Sequence, residues 1–470
     1  MSASLAQGSL RSSSLGFFET IGQSIANISP TFTPALNVVA VAALAGQASW
    51  LVYGLAAAAL LFVGLNIAEL SGRFAAAGSF FIFISRGLGP LAGGAAGWAL
   101  VAAYLGTAIG VLAGEAIFVN NATEPLGFHV PPVITYVVSV ALVWYFAFRD
   151  IRLSSRLSVS IEAVSMVIIA ALLIAALTHH PHNLIDRRQL ALQNASGKGI
   201  AEAIVLGIFS FVGFESAATL GKESRNPLKT IPRAVLSSMI VAGIFFMFVA
   251  YAMVIAFNGH AGKLGNDASP LLTILSSLGA ARFATFIYII ATISAFACVL
   301  ASTNAAARLL FSMGRYQFVH RSMGLVHAGH RTPHAAIAAG CAITLAVPLI
   351  MYGEGTMNTF DWCSTFATFG FITTYLLISI AAPVYLRKIG QASSYHIIIG
   401  ALGAVSMVGA FIGSVYPVPP YPLNLLPYIF LLFMAAGGAW LLRLKTRAPQ
   451  VLKLIERDLE SGESEIIGRK

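Results

Sequence analysis

The sequence predicts an all-α membrane protein of twelve transmembrane helices: two inverted five-helix repeats and then two additional helices. Three observations carry this reading. They are a series of long apolar runs, a one-sided distribution of basic residues, and two interruptions that fall five runs apart.

Of the 470 residues, 57% are hydrophobic and only 10% are charged, with a mean hydropathy of +0.82, whereas a soluble domain is about a quarter charged. About 20 apolar residues at 1.5 Å each cross a hydrocarbon core of roughly 30 Å. Twelve such runs lie at about 15–43, 48–71, 90–120, 131–148, 156–178, 199–221, 232–257, 281–312, 333–353, 358–386, 395–416 and 424–444. They leave no room for a separate soluble domain. The connections are short except at about 179–198 and 258–280. The first run is interrupted by proline and lacks a small-residue cleavage pattern, so it is expected to persist as a membrane segment rather than act as a cleaved signal.

The net charge of +10 is unevenly placed. If the chain starts in the cytoplasm, 23 of the 28 Lys and Arg fall in inner segments, and the outer ones keep only Arg187, Arg188, Lys198, Lys263 and Arg282. This is the positive-inside bias, which puts both termini in the cytoplasm of a cell inner membrane and makes the lipid bilayer, not nucleic acid, the partner of the excess charge. The tail from Lys445 on reads as a solvated cytoplasmic extension, with amphipathic spacing near "VLKLIERDLE".

Enzyme chemistry has no foothold. Cys298, Cys341 and Cys363 fall within apolar runs without CxxC spacing and read as small buried residues. His179-His180-Pro181-His182 reads as a solvated loop. No Walker loop, nucleophile elbow or paired metal ligands on one helix face is present, so no cofactor and no metal are expected and ATP-driven transport is excluded.

The interruptions are "IANISPTFTP" at 25–34 in the first run and "SFVGFES" at 210–216 in the sixth. Five is odd, so a second copy of a five-helix unit lies upside down relative to the first. The long third and eighth runs correspond under the same offset. Unpaired backbone groups cost several kcal/mol each in hydrocarbon, so such breaks belong where they line a wet cavity. There, freed N–H groups hold a carboxylate and freed carbonyls hold an ammonium or a cation, the arrangement of a transporter's central site. A proline kink stabilised by Ser and Thr is the plainer reading of the first break.

Ionisable groups at membrane depth mark function by default. Glu19 lies two turns before the first break, Glu115 is deep in the third run, Glu162 is near the inner start of the fifth, and Glu215 follows the second break. Glu215 reads either as a gating or proton-coupling group or as a cap on loose amides. Glu162 is expected to pair with an inner-loop arginine such as Arg156. Glu69 and Glu202 sit near run ends, where solvent reaches them.

Three stretches then carry a resemblance. "GLNIAELSGRFAAAGSFFIFISRGLGPLAGGAAGW" (64–98), "FSFVGFESAATLGKESRNPLKTIPRAV" (209–235) and "NAAARLLFSMGRYQFVHRSMGLVHAGHRTPHAAI" (304–337) resemble motifs of the amino acid-polyamine-organocation superfamily of secondary transporters. The likeness covers about residues 15–445. It implies a leucine-transporter-like fold, with repeats at 15–178 and 199–386, helices eleven and twelve at 395–444, and a cytoplasmic tail at 445–470.

It also implies a substrate site at the backbone of Ala26, Asn27, Ile28, Ser29 and Thr31 and of Phe211, Val212, Gly213 and Phe214. Phe209 matches the family's aromatic gate, and Glu215 the carboxylate just beyond it; Glu19 joins them as a gating or coupling candidate. Ala102, Ala103 and Thr107, Ser302, and Thr365 and Thr368 match third-, eighth- and tenth-span positions facing the site. The sequence departs from the family in two places. Pro30 lacks the N–H that the family's first break offers a carboxylate, which moves contact to neighbouring N–H groups and to the Asn27 and Ser29 side chains. A fifth-span lysine is matched by about Ser165, whose hydroxyl cannot replace that charge, leaving a sodium site or a glutamate-based proton route open.

The expected function is therefore a permease that moves amino acids, neutral ones first, by alternating access driven by proton symport or exchange, with Na+ the less favoured coupling ion. Polyamines or other organic amines are the alternative substrates. A channel, for which no continuous polar stripe is visible, or a sensor with a transporter fold stands further behind.

Overall fold

A computed structural model describes residues 15–74, 78–149, 151–179 and 184–448, apart from the side chains of 151–154. The first apolar run is three helices. α1 (Phe17–Ile28) starts where the Gly16 N–H donates to Glu19 Oε2 (2.9 Å), an anionic group at the positive end of a helix. It stops at Ser29, in the left-handed region at φ 48°, whose N–H closes onto the Ile25 and Ala26 carbonyls. Pro30 forces this end, because its ring disfavours helical geometry in the residue before it and it donates no hydrogen bond. The chain resumes as α2 (Phe32–Ala35) and α3 (Asn37–Ala45).

α4 (Ser49–Ser71), α5 (Phe80–Leu88), α6 (Pro90–Thr123), α7 (Pro132–Arg149) and α8 (Ile151–His179) follow, then α9 (Arg187–Leu190) and α10 (Gly197–Phe211). The second half holds α11 (Pro227–Ala256), α12 (Ala261–Gly265), α13 (Pro270–Ser277), α14 (Ala284–Arg315) and α15 (His334–Ile350). α16 (Thr356–Lys388), α17 (Ser394–Val415) and α18 (Leu426–Arg447) complete it. No strand occurs among the described residues, only an isolated bridge between Leu15 and Ser224.

Helix occupies each of the twelve apolar runs. Among the described residues ten stretches are long and apolar enough to cross a membrane, one of them Asn37–Ser71, which joins α3 to α4. α1 with 12 residues and α15 with 17 are shorter. Four short helices fall in segments read as loops: α5 between the second and third runs, and α9, α12 and α13 in the two longer connections. Of the histidine run only His179 is described, and Val451–Glu460 lies outside the described residues.

The centre is α6, packed against α14 and α16. Its glycines allow this approach. A Cβ on Gly106 would sit 3.0 Å from Ala367 Cβ, and one on Gly110 would sit 2.6 Å from Ser364 Oγ. Small residues at helix crossings let backbones close up where lipid supplies no hydrophobic drive for association. Large apolar side chains instead cover the outside, among them Ile350, Val405 and Leu432.

One end of the bundle is rich in arginine and tightly tied. Lys388 Nζ donates to the Gly87 carbonyl (2.8 Å), the Thr332 hydroxyl to that of Phe148 (2.8 Å), and the Arg225 N–H to that of Leu15 (2.8 Å). The opposite end is joined by Gln47 to the Gly259 carbonyl (2.6 Å) and Tyr251 to that of Leu184 (3.0 Å).

Candidate functional site

The two breaks meet at the centre. α10 ends at Phe211, Val212 is extended, Gly213 takes φ +100°, and a 3-10 turn follows at Ser216–Leu220. A Cβ on Gly213 would lie 2.5–2.7 Å from the Asn27 side chain. Only glycine meets both demands, the left-handed backbone and the close approach.

Side chains of α1 satisfy much of the backbone that the second break frees. The Ser24 hydroxyl donates to the Phe214 carbonyl (2.6 Å) and accepts from the Ala217 N–H (3.0 Å), while the Ser216 hydroxyl donates to the Gln23 carbonyl (3.2 Å). α14 closes the third side. Gln23 Nε2 donates to the Ala301 carbonyl (2.8 Å), the Cys298 thiol to the Asn27 carbonyl (3.2 Å), and the Ser302 hydroxyl to Asn27 Oδ1.

Asn27, Ile28, Ser29, Thr107, Phe209 and Val212 line a cavity of about 20 Å³ there, with Phe32, Thr33, Asn37, Val111, Ser210 and Cys298. That is room for about one water molecule, so an amino acid enters only when the walls move. Among its lining atoms, Asn27 Nδ2 and Thr107 Oγ1 are buried without a partner. A buried orphan of this kind costs about 1–3 kcal/mol, and a ligand that binds here relieves it.

Aromatic rings close the cavity on the side away from the arginine-rich end. The Phe209 and Phe360 ring centroids are 6.4 Å apart, and those of Phe32 and Phe360 5.4 Å. Beyond these rings lies a second cavity of about 70 Å³. On the other side, fully buried Glu215 accepts from Tyr104 Oη (2.8 Å, to Oε1), Tyr375 Oη (2.5 Å, to Oε2) and the Gly213 N–H (3.2 Å, to Oε2). One carboxylate thus ties the second break to α6 and α16.

Three further carboxylates take distinct places. Glu162 does not pair with Arg156. It is fully buried, and Oε1 accepts from the Ser294 hydroxyl (2.7 Å). Ser294 in turn sits 3.1 Å from the Ser29 hydroxyl. The residue is deeper in α8 than its sequence position implied, whereas Arg156, half exposed at the arginine-rich end, meets Glu19 at 2.8 Å. Glu115 accepts from the Ser139 hydroxyl of α7 (2.8 Å).

The other residues singled out in the sequence divide. Ser302 reaches the cavity through Asn27. Thr31 is buried behind the break. Ala26 packs on Ala297 and Ala301 of α14 rather than into the cavity. The backbone of Phe211 is at the break, but its ring joins Tyr53 and Phe246. Two positions lie away from the central cavity: Ala103 faces Gly370 of α16, where a Cβ would meet it at 3.0 Å, and Thr365 lines the second cavity, beyond the aromatic rings. Ala102 borders a separate apolar groove. Tyr104, Tyr375, Gln23, Ser24 and Cys298 had no signal in the sequence, since each partner is over 100 residues away.

A sequence profile described as "Amino acid permease" matches residues 20–418. The chain belongs to the amino acid permease family. It is therefore a membrane transporter and not an enzyme. It is similar to "Branched-chain amino acid permease BcaP" of Bacillus subtilis (strain 168), 26% identical over 74% of this chain and 75% of that protein. "Low-affinity putrescine importer PlaP" of Escherichia coli (strain K12) is 27% identical over 67% and 72%. "Glutamate/serine transporter AimA" of Bacillus subtilis (strain 168) is 24% identical over 67% and 62%. The family transports small molecules through a multi-pass membrane body, and among the described residues no cluster of three His, Cys, Asp or Glu is placed to hold a metal ion.

Proposed function

We propose that this permease carries a neutral amino acid by alternating access, bound between the broken helix α1–α2 and the break after α10. The observation that carries this reading is the contact of Gly213 with Asn27 beside two unpartnered polar atoms, Asn27 Nδ2 and Thr107 Oγ1. The amide donates to the substrate carboxylate, a task that Pro30 cannot share, and carbonyls freed at the breaks accept from its ammonium. Ala26, Ile28, Ser29, Thr31, Phe211 and Val212 supply the surrounding backbone, and Ser302 orients Asn27.

Phe209 is the gate on one side, and Glu215 with its two tyrosines is the gate on the other. Glu215 also carries the coupling proton; Glu19, tied to Arg156, fastens the arginine-rich end. Twelve crossings form two inverted repeats, 15–178 and 199–386, then 395–444 and the tail 445–470. The break in α1 and the break after α10 stand at matching places of the two repeats, which supports that division. The arginine-rich end is cytoplasmic, in a cell inner membrane.

Neutral substrates are favoured because Glu215 is already held by three donors and, among the described residues, no carboxylate lines the central cavity. BcaP is named for branched-chain amino acids; PlaP, named for putrescine, keeps an organic amine as the second reading. The test is thermal stabilisation of the purified protein by amino acids and polyamines, then uptake of the stabilising compounds into proteoliposomes with and without proton and sodium gradients. Isoleucine or a like compound is expected to stabilise and to accumulate with the proton gradient. Stabilisation by none of them, or accumulation driven by sodium alone, rejects the substrate or the coupling assignment respectively.

A further inference from the structure

Asp361 lines the second cavity, beyond the Phe209–Phe360 rings, and among the described residues it has neither an ion pair nor a hydrogen bond. It sits five residues into α16, which at 1.5 Å per residue places it roughly 8 Å along the helix. An ionisable group at this depth ordinarily pairs within the protein or lines a path for solute. Asp361 has no such pair, so its counter-charge comes from what enters the cavity.

The surroundings extend the argument. Ser364, Thr365 and Thr368 follow on the same face of α16 at spacings of three, four and seven residues, and all line the cavity. Ser364 is 5% exposed and its hydroxyl has no partner. Phe209 and Asn37 border both this cavity and the central one, so the two cavities share a wall.

We propose that this cavity is a separate capture site for an organic primary ammonium group, with Asp361 its counter-ion and the α16 hydroxyls its hydrogen-bonding wall. The site holds the amine before the aromatic gate opens, and the group then passes along Thr365 and Thr368 towards Asn27. Its volume of about 70 Å³ suits an ammonium with a short stem, whether from an amino acid or from a diamine. The role in uptake rests on the transport reading above; the binding of an ammonium does not.

The test uses the full chain in lipid nanodiscs and the variant Asp361→Asn, which keeps the side chain's shape and breaks no bond within the protein. Thermal stability is read with butylammonium, isoleucine, putrescine and sodium chloride at matched ionic strength. The wild type is expected to gain stability from butylammonium beyond the sodium chloride control, and the variant to gain none. In proteoliposomes, Asp361→Asn should raise KM about tenfold, the loss of one charge-assisted hydrogen bond, with maximal rate within about twofold. High salt should raise KM of the wild type but not of the variant.

Equal stabilisation of the two proteins by butylammonium overturns the site, as does an equal effect of sodium chloride, which marks an inorganic cation as occupant. An unchanged KM removes the capture role. If the wild type neither binds nor imports isoleucine or putrescine, the transport reading fails on its own, while the butylammonium comparison still decides the site.

Discussion

At the scale of single residues, the site turns on Gly213 and Glu215. Gly213→Ala adds a methyl 2.5–2.7 Å from Asn27 at a backbone angle of φ +100°, which L residues adopt at a cost of about 1–3 kcal/mol. Uptake is expected to vanish and the melting temperature to fall; retention of both would show that the two breaks need not touch. Glu215→Gln keeps the size of the side chain but removes its charge. It is expected to abolish accumulation driven by a proton gradient, and unchanged accumulation would take Glu215 out of the coupling step. Asn27, Gly213 and Glu215 stood out in the sequence because each belongs to or borders a polar or glycine break in an apolar run, whereas Phe209 was named only through the resemblance to the family. Tyr104 and Tyr375 were not, since they reach Glu215 from helices 111 and 160 residues away in the chain. Ala103 packs on α16, where Gly370 leaves the space, a tertiary contact that the sequence does not carry.

At the scale of elements, the segment after the second break is pinned at the arginine-rich end. Arg308 of α14 meets Glu223 twice, at 2.6 and 3.2 Å, both 1% exposed, and Leu15 bonds to the Glu223 carbonyl next to it. The pair therefore fastens α14, the loop and the start of α1 together. Arg308→Met leaves a buried carboxylate alone and is expected to cost about 3–5 kcal/mol, whereas Arg308→Met with Glu223→Gln should recover most of it. Thermal unfolding of both variants measures this, and equal loss in single and double variants would contradict it. That a helix occupies each apolar run was legible because hydrophobic length carries it, but the ends were not, since the first run is three helices and the sixth stops at Phe211. α5 escaped notice because its nine residues are too few to cross a bilayer, and it is held by packing on α6 and α16, a tertiary cause that periodicity does not carry.

At the scale of the whole molecule, the basic residues divide the bundle into two unlike ends, and the membrane reads that division as orientation. The loop at Gln391 lies at the arginine-rich end, where Arg73 reaches it (3.4 Å), and Glu354 lies at the other end of α16. Both are exposed, so cysteines placed there report on the two faces without disturbing the core. In a background with Cys298, Cys341 and Cys363 replaced by alanine, a membrane-impermeant maleimide added to intact cells should label Glu354→Cys and spare Gln391→Cys. Both should react after permeabilisation. Labelling of Gln391→Cys alone would invert the orientation, and with it the assignment of Asp361 and Phe209 to the side from which substrate arrives. Because α16 is one continuous helix of 33 residues, labels at its two ends bracket a single crossing, and the result does not depend on how many other helices span.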